Sequence, residues 1–186
     1  MLIGITGRKG HGKDTAGLAL QKRNFAHLRF ATILKEMTKT FLRCQAVDER
    51  TIDRMVDGDL KEVPTYFMEW KTPRQFQQAL GTEFGRDCIG ENVWVNATLR
   101  GARHYDDAYI SDVRFPNEED AIKARGGVTV RIERPGALYT TDEERASSKH
   151  ISESQIDGLP VNHVVMNSGS VDDLHAALLG ALGFGA

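Results

Sequence analysis

One stretch constrains this chain more than any other: GITGRKGHGKDT, residues 4–15. Gly7, Gly12 and Lys13 fit the spacing G-x-x-x-x-G-K. The short apolar run Leu2–Thr6 precedes them, as a buried central strand would. After them KDTAGLALQK (13–22) puts Ala16, Ala19 and Leu20 on one helical face. Strand, glycine loop and helix in that order make a phosphate-binding loop. Glycines let successive backbone N–H groups turn toward phosphate oxygens, and the helix adds its positive end. Lys13 supplies a full charge to the β- and γ-phosphates. The dinucleotide pattern G-x-G-x-x-G does not fit, because the glycines fall at 7, 10 and 12. A plain strand-to-helix turn is the alternative, with Lys9 and Arg8 there for solubility. The residue after the lysine ordinarily carries a hydroxyl for Mg²⁺; here it is Asp14, followed by Thr15. A carboxylate is also a hard oxygen donor and suits Mg²⁺. It would equally favour the positive end of the helix. The nucleotide-contact set is therefore Gly7, Lys9, Gly10, His11, Gly12, Lys13, Asp14 and Thr15.

The rest of the chain alternates. Strands are expected at 25–30, 108–111, 128–132 and 163–166. Helices are expected at 31–43, from Pro73 through Phe84 with Thr72 as N-cap, at 92–101, from Pro116 to the glycines at 126–127, and after Ser170. The charged stretch 48–64 reads as a short helix and an exposed loop. This order predicts a parallel sheet with helices on both faces. At 186 residues the chain is one domain in length, and no linker divides it. A net charge of -2 argues against a protein held to nucleic acid by charge alone. Two cysteines do not make a disulfide framework. The N-terminal apolar run is too short for a signal peptide, and no run reaches membrane-spanning length, so the cytoplasm is the expected compartment.

Beyond the loop, YISDVRF puts Asp112 at the carboxyl end of a strand, where open parallel sheets bind ligands and where an acidic residue can hold Mg²⁺. A capping or turn aspartate is the alternative. Arg114 would project into the same crevice and read phosphate with its bidentate fork, or else pair with Glu118 or Glu119 on the surface. On the helix from Pro73, Arg74, Gln78 and Thr82 recur every four residues and share a face suited to an acceptor's phosphate and base edge. Arg86 follows. Lys35 is either a phosphate contact or a solvated helix residue. The polar segment from Arg134 to Asp157, with His150 and Glu153, sits where a lid would close and exclude water.

The loop GRKGHGKDT resembles the GKD-type loop of bacteriophage deoxynucleoside monophosphate kinases, and animal-type phosphomevalonate kinases look similar there. FATILKE (30–36), LGTEFGRD (80–87) with NVWV (92–95), ISDVRFPNEEDAIKARGGVTVRIERPG (110–136) and KHISES (149–154) are similar to the phage family's segments in the same order. The resemblance implies a P-loop three-layer α/β/α sandwich with a mainly five-stranded parallel sheet. It would carry acceptor-binding helices at about 44–101 and a lid at about 134–157. It implies transfer of the γ-phosphoryl of Mg·ATP to a deoxynucleoside monophosphate. Lys13, Arg114 and Arg134 would be catalytic and Asp14 and Asp112 metal-binding. Lys35, Arg74, Gln78, Thr82, Arg86, His150 and Glu153 would bind substrate. The partners implied are nucleotides, neither nucleic acid nor membrane, with a homodimer left open. The rival readings are a kinase of another phosphorylated acceptor, such as phosphomevalonate, and a nucleotide-binding switch without turnover.

Overall fold

The computed structural model describes residues 1–136 and 155–185. The chain forms two compact units, Met1–Phe30 with Leu99–Ala186, and Ala31–Thr98.

The first unit is built on a sheet of five parallel strands. They are β1 (Leu2–Thr6), β2 (Ala26–Leu28), β3 (Ala108–Val113), β4 (Val128–Glu133) and β5 (His163–Met166), ordered β2-β3-β1-β4-β5. β1 is central, so the loop that follows it leaves from the middle of the sheet. Its side chains alternate between the two faces. Ile3 and Ile5 are fully buried in a core with Ala16 and Leu20 of α1 (Lys13–Gln21) and with Leu174 and Leu178 of α7 (Val171–Ala181). Gly4 faces the other way. A Cβ there would lie 2.7 Å from Ile122 Cδ1 of α6 (Pro116–Lys123), so glycine lets that helix approach the central strand. Helices thus cover both faces, and the expected three layers are present. Ser170 caps α7 as its sequence predicts: its hydroxyl accepts the N–H of Asp173, whose carboxylate accepts the N–H of Ser170.

The second unit is helical. It contains α2 (Thr32–Arg43), α3 (Glu49–Val56) and α4 (Pro73–Ala79), and its boundary falls within α5 (Val93–Ala102). Leu42, Val47, Ile52, Met55, Val56 and Met68 form its core. Thr72 and Gln75 make the reciprocal cap expected at Pro73. The stretch after α3 is exposed over most of its length, as its charge suggests, with Leu60 partly buried against this core.

One element departs from expectation. The helix from Pro73 is α-helical only to Ala79 and continues as a π-helix over Leu80–Ile89. The cause lies on α5. The indole of Trp94 donates to the Gly81 carbonyl at 2.9 Å, and a Cβ at Gly85 would lie 2.3 Å from the same ring. A side chain packed into the carbonyl ladder widens the helix there, and the glycine at 85 makes the room. The four-residue repeat that put Thr82 on one face with Arg74 and Gln78 therefore fails past Ala79. Trp94→Phe removes the donor and with it the bond to the buried Gly81 carbonyl. A loss of about 1–3 kcal/mol is expected, read as a lower urea midpoint. An unchanged midpoint would show that the indole bond does not hold the π segment.

Candidate functional site

The loops after β1, β3, β4 and β5 all leave the carboxyl edge of the sheet, and β1 stands where the connections diverge to either side. Gly7 and Gly12 shape the first loop. Gly7 has φ 140°, and a Cβ on it would sit 2.5 Å from the Ile132 carbonyl oxygen on β4. Gly12, at φ 94°, is the N-cap of α1, and a Cβ there would strike the Asn167 amide at 2.5 Å. That amide donates to the His11 carbonyl at 3.0 Å, so the loop after β5 holds the glycine loop. His11 Nδ1 lies 3.3 Å from both the Ile132 carbonyl and the Arg134 N–H, tying the loop to the end of β4. His175 of α7 lies 2.8 Å from the Thr15 carbonyl and braces the first turn of α1.

These contacts frame a cavity of about 370 Å³ lined by Gly10, Gly12, Lys13, Asp14, Thr15 and Arg134, among others. Lys13 is the first residue of α1, and its ammonium donates to the Arg8 carbonyl at 2.9 Å across the loop. Lys9 is exposed at the loop tip. The Arg8 guanidinium is bonded to the Asp157 carboxylate and holds that carboxyl below its usual range.

The two candidate metal ligands differ in setting. Asp14 is 74% exposed and takes a 2.8 Å bond from Arg29. Asp112, the next-to-last residue of β3, accepts the Phe30 N–H at 2.9 Å and so joins the segment after β2 to β3. Among the described residues no group of three or more His, Cys, Asp and Glu could hold a metal ion. Each carboxylate is a hard oxygen donor of the kind Mg²⁺ takes one or two at a time, the rest of its shell being other oxygens and water.

Arg114 follows β3 directly. Its N–H and that of Phe115 donate to the Glu118 carboxylate at 2.8 and 3.2 Å. Glu118 and Glu119, which the alternative reading made surface partners of Arg114, are 3% and 0% exposed. Glu119 is engaged by Lys123 and, at 3.1 Å, by the Thr129 hydroxyl.

In the helical unit Lys35 pairs with Asp57 and Arg74 with Glu62. Gln78 is half-buried, Thr82 exposed and Arg86 half-buried within the π segment. His150 and Glu153 lie outside the described residues. Two residues escape sequence reasoning. Lys61 is held at about 8, lowered by burial and then by the neighbouring charges of Arg74 and Lys35. Its place in a charged stretch reads only as exposure. Arg29, at the end of β2, carries no sequence signal at all.

Comparison with known proteins gives an independent line. A family model described as deoxynucleotide monophosphate kinase matches residues 36–178. The chain is 27% identical, over 96% of its length and 94% of the relative's, to a putative deoxynucleotide monophosphate kinase of Acanthamoeba polyphaga mimivirus. It is 30% identical to the deoxynucleoside-5'-monophosphate kinase of Escherichia phage T5, over 52% of this chain and 39% of that protein. Among solved structures, shikimate kinase from Aquifex aeolicus shares the fold with a TM-score of 0.57 at 14% identity, covering 98% of this chain and 96% of that one. No described helix is long and apolar enough to cross a membrane.

Proposed function

Because the chain belongs to the deoxynucleotide monophosphate kinase family, we propose that it moves the γ-phosphoryl of Mg·ATP to a deoxynucleoside monophosphate, releasing ADP and the diphosphate. The observation that carries this reading is the glycine loop. It leaves a buried central strand, places Lys13 at the first position of α1 and opens on the cavity at the carboxyl edge of the sheet.

The backbone amides from Gly7 to Thr15 and the Lys13 ammonium hold the donor's phosphates. Asp14 and Asp112 hold Mg²⁺, which screens the phosphate charges when bound. Arg114 and Arg134 neutralise the group in flight. Lys35, Arg74, Gln78, Thr82, Arg86, His150 and Glu153 take the acceptor. The ion pairs that Lys35 and Arg74 make with Asp57 and Glu62 are exchanged for the acceptor's phosphate on binding. The attacking group is already an anionic phosphate oxygen, so no general base is assigned. As it bonds to the γ-phosphorus, the bond to the β-phosphate bridging oxygen breaks and ADP leaves. Transfer of this kind depends on alignment and charge neutralisation.

The test is ADP release measured across all deoxy- and ribonucleoside monophosphates. Turnover is expected with at least one deoxynucleoside monophosphate. ATP binding with no acceptor-dependent turnover on any of them would overturn the reading, and turnover on phosphomevalonate alone would replace it.

A further inference from the structure

Asp14 raises a physical problem. It sits beside Lys13 at the phosphate loop, and a bare carboxylate there repels the triphosphate it is meant to serve. The structure places a cation on it. Arg29 Nη2 donates to Asp14 Oδ1 at 2.8 Å. The same guanidinium has a second seat: its Nε–H lies 3.3 Å from both the Ser111 hydroxyl and His27 Nε2. Those two groups are 2.7 Å apart, and the His27 ring stacks on Tyr109 at 4.5 Å with an interplanar angle of 5°. Burial, then the Arg29 charge, lowers the His27 imidazole and keeps it an acceptor. The next peptide is pinned too, since Phe30 N–H donates to Asp112. Arg29 is thus anchored at Nε by the β2–β3 edge, while only its Nη2 end reaches Asp14. It can release the carboxylate without leaving its place.

We propose that Arg29 is the resident counter-ion of Asp14, neutralising it until Mg²⁺ takes its place and so setting how strongly nucleotide binding depends on the metal. This rests on the reading of the loop as a Mg·ATP site. Two opposite effects follow from one charge. Arg29 lowers the repulsion between Asp14 and a metal-free nucleotide, and it competes with the metal for the same oxygen. An arginine that only supported the fold would alter both states alike.

The experiment is calorimetric ATP binding, in EDTA and in saturating Mg²⁺, for wild type, Arg29→Met, Arg29→Gln, Arg29→Lys, Asp14→Asn and the double variant Arg29→Met with Asp14→Asn. A circular dichroism melt checks the fold of each. Asp14 is mostly exposed, so each effect is modest. Arg29→Met and Arg29→Gln are expected to weaken metal-free ATP about fivefold and to widen the ratio of the two affinities to about tenfold beyond wild type. Arg29→Lys keeps the charge and stays near wild type. With Asn at 14, removing Arg29 shifts both affinities together and leaves the ratio alone. An unchanged ratio in Arg29→Met and Arg29→Gln, or the same change with Asn at 14, would overturn the inference while leaving the kinase reading standing. Metal-independent ATP binding by the wild type would instead overturn the Mg·ATP reading beneath it.

Discussion

Lys13→Ala is expected to abolish acceptor-dependent ADP release while the protein stays folded. Lys13 opens α1, where its ammonium adds to the positive end of the helix and lies across the loop on the Arg8 carbonyl at 2.9 Å. No other lysine is built into the start of that helix, so its charge at the phosphates has no substitute there. Preorganised cations of this kind act mainly on charge that develops in the transition state. A loss of at least about 10²- to 10³-fold in kcat is expected, together with weaker ATP binding. The fold is expected to survive. Alanine is a strong helix former, and the loop is held by contacts that do not involve the lysine side chain, from Asn167 to the His11 carbonyl and from His175 to Thr15. Turnover and the circular dichroism melt are measured side by side. Near-normal turnover in a folded variant would remove the loop from the reaction.

That loop was legible because its information is local. Glycine spacing, one lysine and the flanking periodicities occupy about twenty consecutive residues, and the backbone angles that demand glycine at 7 and 12 belong to those residues alone. The five strands were legible for the same reason, each being a short apolar run with turn residues at its ends. What stayed hidden arises where distant segments meet. Arg29 is an isolated arginine until β2 lines up beside β3 and its Nη2 reaches a carboxylate 15 residues away. Glu118 and Glu119 look solvated on a helix wheel. They are buried because one caps the turn after β3 and the other meets Thr129 on β4. The π-helix is written partly in Gly85 and partly in Trp94 on the next helix, so a pattern confined to one helix cannot reveal it.

Arg114→Ala carries the other large effect, and it separates catalysis from binding. The residue is placed by bonds that its neighbours make. The Thr6 hydroxyl, one residue before the glycine loop, donates to the Val113 carbonyl at 2.6 Å. The peptide that leads into Arg114 is therefore locked to the strand that leads into the loop. The N–H of that same peptide and the next one, of Phe115, both donate to the buried Glu118 carboxylate. Arg114 thus follows β3 with its backbone fixed on both sides, two residues beyond Asp112. Two anions approach each other during transfer, so a fixed cation there counts most in the transition state. Arginine contacts of this kind are worth about 10³-fold or more in rate. Arg114→Ala is expected to lower kcat on that scale and leave calorimetric ATP affinity nearly unchanged, since Lys13 and the loop amides still hold the donor. Arg114→Lys restores only part of the rate, because an ammonium cannot form the bidentate fork. Loss of ATP affinity in step with kcat would make Arg114 a donor-binding residue. Untouched turnover would leave it outside the reaction, and the neutralising charge would then have to come from another residue such as Arg134.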